Sequence, residues 1–193
     1  MARKNTVSYC LNQLTKAGAD KATCTLNINE KKELNVEVGK MSLLRTTFNS
    51  QIGISVIKDN KQASTSINKT DTDSIDSAVE LVMEMAKGSH PDEAYDIAEN
   101  QSPDTFSKGD ISANLDNMYN SLEEFIDYVK SSYPNIQLEA IMDFNHSQSF
   151  FQNTNGVDFE IREGIYGFSP MFLSKDGDKS SSFNYAGFSS LTI

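Results

Sequence analysis

Bond-making or bond-breaking chemistry in this 193-residue sequence would have to start from His90 and His146, Cys10 and Cys24, the run Ser180-Ser181-Ser182, or Asp176 and Asp178. A hydrolytic zinc centre needs about three protein ligands and an open position for water. The two histidines are separated by a linker and a helical stripe, and no His-x-x-x-His pair occurs. His90, just before Pro91, reads as a solvated loop residue. His146 continues the apolar phase of a long strand and reads as a satisfied or edge-facing side chain. No Gly-x-Ser-x-Gly elbow and no local Cys–His pairing supports a nucleophile. Both Gly-rich phosphate-loop patterns are missing. The serine run is a solvated strand edge, and Asp176 with Asp178 falls short of the three convergent carboxylates a hard-cation site wants. Cys10 and Cys24 fall on the buried faces of a helix and a strand, as small hydrophobes rather than a disulfide or a metal pair. No catalytic, cofactor-binding or metal-ligating residue is therefore assigned within 1–193.

Composition narrows the partners. A formal charge of −10 disfavours a nucleic-acid backbone or an anionic membrane surface, because both would repel the chain. Apolar content of 38% and charged content of 23% suit an ordinary folded domain. No apolar run reaches the roughly 20 residues needed to cross a bilayer. Met1-Ala2-Arg3-Lys4-Asn5 leads into an amphipathic segment rather than a signal-peptide core, so a cytoplasmic address follows by elimination.

The elements that must position any site are legible from periodicity. Val7, Cys10, Leu11, Leu14 and Ala17 recur at helical spacing, with Gly18 as a stop. Short alternating runs follow at Ala22–Ile28, Leu34–Val38, Met41–Phe48 and Ile52–Val56. Gly39-Lys40 reads as a turn, and Asp59-Asn60 closes a hairpin onto Lys61–Ile67. Gly53 inside a strand suggests a close backbone approach or a bulge. A second helix runs through Ile75, Ala78, Val79, Val82 and Ala86, capped by Asp71 or Asp73 and ended by Gly88. Residues 91–109 read as a linker. The strongest helical stripe follows at Leu115, Met118, Tyr119, Leu122, Phe125, Ile126 and Val129 and stops before Pro134.

The best-determined object is a two-stranded ribbon over Ile136–Phe168. Leu138, Ala140, Met142 and Phe144 alternate with polar residues. Asn155-Gly156 offers the two positive-φ positions of a type I′ turn, and Val157, Phe159 and Ile161 resume the alternation. Asp176-Gly177 turns the chain into a Ser- and aromatic-rich strand from Ser180 to Ser190. The fold class is α+β: antiparallel meander sheets with helices packed on one face, in two subdomains at 1–90 and 110–193. Phe144, Phe150, Phe151, Phe159, Tyr166, Phe168 and Phe172 read as core and interface rather than a recognition surface. The apolar stop at Ile193 suggests a truncated chain or the front of a longer protein.

Several segments, taken in order, resemble the amino-terminal half of the TldD/PmbA family, often labelled "modulator of DNA gyrase". They are Ala17-Gly18-Ala19-Asp20, then Ile52–Asp59 with Ala63-Ser64-Thr65 across the hairpin, then the acid-capped helix Asp71–Lys87. Pro91-Asp92-Glu93-Ala94-Tyr95 also fits. Most diagnostic are Phe151-Gln152-Asn153-Thr154-Asn155-Gly156-Val157 and Lys175-Asp176-Gly177-Asp178. The sequence departs from the family at Lys61-Gln62-Ala63-Ser64, where glycine is usual.

The resemblance implies a longer, two-part protein that pairs as a homodimer or as a heterodimer with a TldD-like subunit. In the TldD-like branch a His-Glu-x-x-x-His helix, outside this sequence, holds zinc, and the pair degrades unfolded peptides. The PmbA-like branch lacks that motif and acts as the partner; the Phe151–Val157 turn and the short first domain lean that way. The expected role is then non-catalytic, scaffolding the dimer and the peptide-admitting cavity of a metallopeptidase, with any zinc in the absent carboxy-terminal region or on the partner. Two rival readings stand beside it: a fragment of the active zinc subunit itself, and a plain protein-interaction module. Sheet edges with unpaired amides and carbonyls are the feature that suits an extended peptide, though dimerisation or packing against the remainder would use them equally well.

Overall fold

The computed structural model describes residues 3–193. Helix α1 spans Arg3–Lys16 and buries Val7, Cys10, Leu11 and Leu14 along one stripe. Gly18, at φ 89°, ends it. The Gly18 amide donates to the Thr15 carbonyl at 3.0 Å and Ala19 to Leu14 at 3.1 Å, a Schellman stop that only a residue tolerant of positive φ adopts cheaply.

Strand β1 (Lys21–Glu37) and strand β2 (Lys40–Lys58) are joined by Val38-Gly39, both at positive φ. Strand β3 (Lys61–Ile67) returns through Asp59 and Asn60, again both positive, and pairs antiparallel with β2 from Ile52↔Ile67 to Lys58↔Lys61. Two-residue hairpins with this geometry match the native strand twist. Helix α2 (Thr72–Gly88) starts at Asp71, whose carboxylate accepts from the Ser74 amide at 2.9 Å. Strand β4 (Asp104–Lys108) precedes helix α3 (Leu115–Ser132), which Asn114 caps by accepting from the Asn117 amide at 3.1 Å. Strands β5 (Ile136–Asn153) and β6 (Asp158–Asp176) form the ribbon. The short strands β7 (Lys179–Ser180), β8 (Asn184–Tyr185) and β9 (Phe188–Ser190) each pair antiparallel with β6. The hydrogen-bonded order is β3-β2-β1-β5-β6-β4.

The chain forms two units. The first comprises 1–29, 49–107 and 147–162; the second comprises 30–48, 108–146 and 163–193. These are interleaved, whereas the sequence reading divides the chain consecutively into 1–90, a 91–109 linker and 110–193. The reason lies in strand length: β1, β2, β5 and β6 run 17 to 19 residues and each contributes one end to each unit. In the first unit the stripes of α1 and α2 bury with Ala22, Cys24, Leu26, Ile52, Ile54, Val56 and Phe150. In the second, Met118, Leu122, Ile126 and Val129 of α3 bury with Leu34, Val36, Leu138, Ala140, Met142, Phe144, Tyr166 and Phe168. Each fully buried Val, Leu, Ile or Phe of these cores contributes about 1.5–3 kcal/mol of transfer free energy.

Several local expectations are corrected. The separate runs at Ala22–Ile28 and Leu34–Val38 belong to one strand but for Val38, which falls in the turn, and Met41–Phe48 and Ile52–Val56 belong to another; the polar residues between the runs do not interrupt the strands, and the charges at 30–33 pair among themselves. Gly53 marks neither bulge nor close approach: it pairs in register with Ser66, and a Cβ there would meet nothing within 4 Å. The 91–109 segment is not wholly irregular, since it holds β4, whose Phe106 stacks edge-on against Phe159 at 5.4 Å. Ile161 is exposed rather than in the buried phase, which shifts to Gly164, Tyr166 and Phe168 farther along β6. The segment from Ser180 to Ser190 is three short strands, not one.

The ribbon turn also differs from a type I′ hairpin. Gly156 alone has positive φ, at 96°. The connection from Asn153 to Val157 is wider and is held by a buried side chain. Asn153 Oδ1 accepts from the Val157 amide at 3.0 Å, and its Nδ2 donates to the Ala98 carbonyl at 2.8 Å. Thr154 exchanges backbone and side-chain hydrogen bonds with Ala22 at 3.0 Å, and Asn155 Nδ2 also reaches Ala98, at 3.1 Å. The Asn-Thr-Asn-Gly run is therefore a clasp that ties the ribbon tip to β1 and to the 98–100 segment of the same unit. Asn153→Ala is expected to cost about 1.5 kcal/mol, because the Val157 amide loses its acceptor in a buried place. Denaturant titration checks it; an unchanged midpoint would show that the clasp is ornamental.

Candidate functional site

The second unit presents two features that stand out chemically: a charged network on one sheet face, and a strand edge without a neighbour. In β1, Leu34 and Val36 point into the core, so the intervening Glu33 and Asn35 face the other way. Glu33 is nonetheless buried, its side chain only 6% exposed. Lys31 Nζ lies 3.0 Å from one Glu33 oxygen, Arg45 contacts the other, and Asn35 Nδ2 donates to the carboxylate at 3.2 Å. Lys31 also reaches Asp143 of β5 at 3.4 Å. Asp143 sits against Gly167 of β6, where an added Cβ would come within 3.2 Å of its Oδ1. Glycine at 167 thus leaves room for that carboxylate.

The two acids are pushed in opposite directions. Burial alone would raise the Glu33 pKa, but the hydrogen bonds from Lys31, Asn35 and Arg45 outweigh it and hold the group below the ordinary glutamate range. Burial raises Asp143 above the ordinary aspartate range, helped by the Glu33 charge and only partly offset by Lys31. Lys31, between them, is held above the usual lysine value; burial opposes this, and the two carboxylates prevail. On the same face a groove of about 800 Å³ is lined by Asn35, Glu37, Glu139, Ile141, Met171 and Tyr185, among others.

The edge belongs to β2. β3 covers only Ile52–Lys58, so Lys40–Phe48 has no strand on its outer side among the described residues. Leu43, Leu44 and Phe48 are exposed along it, Phe48 by 74%. Natural sheets usually blunt such an edge with proline or several charges. Here there is no proline, and Arg45 is engaged with Glu33.

The residues singled out from the sequence do not converge. His90 is exposed. His146 is half-buried in β5, which lies between β1 and β6, and its Nε2 is buried with no hydrogen-bond partner, so it is neither the satisfied nor the edge-facing side chain expected. Cys10 and Cys24 are free, fully buried neighbours in the first unit's core; hydrogen bonding from Cys10, then burial, push the Cys24 thiol far up, which makes a thiolate there costly. Asp176, Asp178 and the serine run are exposed, with Ser181 Oγ accepting from the Ser174 amide at 3.0 Å. Of the named aromatics, Phe144, Phe150, Tyr166 and Phe168 are buried. Among the described residues no three His, Cys, Asp or Glu side chains group as a metal would need, so these residues do not fit a zinc centre. The Lys31–Glu33–Asp143 network escaped sequence reasoning; two acids at strand positions opposite the core face were its only trace. Among the described residues no helix is long and apolar enough to cross a membrane.

Comparison with known proteins gives these features a setting. Residues 26–86 match the family described as PmbA/TldA metallopeptidase domain 1. No curated protein matches the chain. Three solved structures share its fold. TldE from Thermococcus kodakarensis superposes with a TM-score of 0.77 at 16% identity, over 98% of this chain and 43% of that one. A proposed modulator of DNA gyrase from Bacteroides thetaiotaomicron gives 0.82 at 15%, over 98% and 45%. Another from Thermotoga maritima gives 0.62 at 11%, over 96% and 42%. The chain spans less than half the length of each. The match over 26–86 to that family's first domain, and the fold shared with these structures, agree with the resemblance carried by the ordered motifs from Ala17 to Asp178.

Proposed function

We propose that this chain is a non-catalytic, cytoplasmic scaffold of a TldD/PmbA-like peptidase system, whose free β2 edge receives an extended chain: unfolded peptide, or the adjoining strand of a partner subunit. The observation that carries this reading is the nine-residue edge Lys40–Phe48, unpaired on its outer side among the described residues and exposed from Ser42 to Phe48, with Met41 packed on the core. A row of outward amides and carbonyls recognises main chain, not sequence, which suits a system that handles unfolded substrates. The family resemblance and the shared fold support the setting; zinc and the hydrolytic step belong, on this reading, to residues outside 1–193 or to a partner subunit.

The test uses the purified chain and a reduced, alkylated unfolded polypeptide. Binding should weaken about tenfold in the double variant Leu44→Lys, Phe48→Lys, since edge lysines oppose strand addition, while the melting temperature stays unchanged. No chelator-sensitive hydrolysis should accompany binding by the chain alone. Hydrolysis abolished by a chelator, or binding indifferent to the edge lysines, overturns the proposal.

A further inference from the structure

In the second unit the carboxyl end of α3 and the adjoining ends of β5 and β6 line two neighbouring hollows. One, of about 330 Å³, is walled by Phe125, Tyr128, Val129, Tyr133, Leu138 and Phe172, with the Tyr128 and Tyr133 rings edge-to-face at 6.0 Å. The other, of about 360 Å³, shares Val129, Ile136 and Leu138 with it and is bounded by Lys130 and Lys175. These two lysines are the only charged residues lining that hollow. Both are exposed, and neither has an ion-pair partner among the described residues.

Lys130 has one ordinary reason to be there, since a cation in the last turn of α3 complements the helix end. Lys175 lies at the end of a strand and has no such reason. Gly39 places the hairpin tip beside them: a Cβ there would lie 3.6 Å from Lys130 Cε, so the lysine stem runs along the hollow's rim.

We propose that these neighbouring hollows together bind an organic carboxylate with a bulky apolar body, the apolar part in the aromatic chamber and the carboxylate at Lys130 and Lys175. An apolar chamber with a few convergent polar groups is the ordinary design of a small-ligand site, and paired cations select the charge. A free aryl or alkyl carboxylate and a peptide carboxy-terminus ending in a large apolar residue share this chemistry. The inference does not depend on the scaffold reading.

Calorimetric titration of the 193-residue chain with 4-phenylbutanoate and with 4-phenylbutanol tests it, with N-acetyl-Ala-Ala-Phe and its amide as the peptide arm. Saturable 1:1 binding is expected for a carboxylate, about tenfold tighter than for its uncharged counterpart. That preference should vanish in the double variant Lys130→Gln, Lys175→Gln, while affinity for the uncharged probe persists. Preference in the phenylbutanoate pair alone supports a small-molecule source, and preference in the peptide pair alone a chain terminus. Equal affinity for acid and neutral probes in both pairs, an undiminished preference in the double variant, or no saturable binding at millimolar probe overturns the proposal.

Discussion

Gly164→Ala is expected to be the most damaging single methyl group added to this chain, costing at least about 3 kcal/mol. The added Cβ would sit 1.7 Å from the Asp110 carbonyl oxygen and 2.9 Å from Phe144 Cζ. The first is backbone, which cannot rotate away, and the second is a fully packed ring. The approach is mutual: a Cβ at Gly109, itself at φ 72°, would fall 2.0 Å from the Gly164 carbonyl oxygen. Both glycines let the segment from Gly109 to Asn114, which leads from β4 into α3, lie directly on β6. Tyr166 anchors the same segment: its hydroxyl accepts from the Asn114 amide at 3.0 Å and donates to Asp110 at 3.1 Å. Lifting the segment would pull on the Asn114 cap and so on α3. Gly53→Ala is the control, for a Cβ there meets nothing and should leave stability unchanged or slightly raised. Denaturant midpoints of the two variants should separate widely; similar midpoints would disprove the backbone crossing.

Removing the buried Glu33 carboxylate should give the next largest loss. Glu33→Ala is expected to cost about 2–3 kcal/mol at neutral pH, below the cost of breaking a fully buried pair because Lys31 and Arg45 remain partly in water. The pH dependence has a definite sign. Glu33 has a folded-state pKa below its unfolded value, so its contribution is present above the unfolded pKa, roughly 4.3, and is lost as pH falls through the folded value. Glu33→Gln should flatten that part of the stability profile. Asp143 acts in the opposite sense. Its folded pKa is raised, so the folded state holds the proton more tightly, and stability is lost as pH rises from the unfolded value through the folded one. Asp143→Asn should therefore be tolerated, or stabilising, at neutral pH, unlike Glu33→Gln. Unfolding curves from pH 3 to 7 for both variants check the pair; parallel profiles would mean that the network does not couple the two acids.

Much of the fold was legible in the sequence because each element states its own period. α1, α2 and α3 fall where the three-to-four-residue stripes predict, and Gly39, Asp59 and Asn60 are residues that positive φ favours, although the first turn sits one residue earlier than Gly39-Lys40 and places Val38 at positive φ against its preference. The family likeness was equally readable from ordered short motifs. Strand continuity was not: Glu30 to Glu33 looked like a break between two strands, yet these charges pair among themselves, Lys32 with Glu30 at 3.3 Å and Lys31 with Glu33 at 3.0 Å, and the strand runs on. β4 was hidden in a polar segment because a five-residue exposed strand has no buried face to set a period.

The charged network, the free edge and the lysine-rimmed hollow belong to the tertiary structure alone. Lys31, Arg45 and Asp143 lie on three strands, and no local pattern says that they meet. The edge exists because β3 ends at Ile67 while β2 extends back to Lys40, a difference of strand length visible only once the register is known. Periodicity is a property of neighbours along the chain and survives in one dimension. Which side chains face each other across a sheet, and which amides find no partner, depends on pairing between distant segments, so only folding decides it.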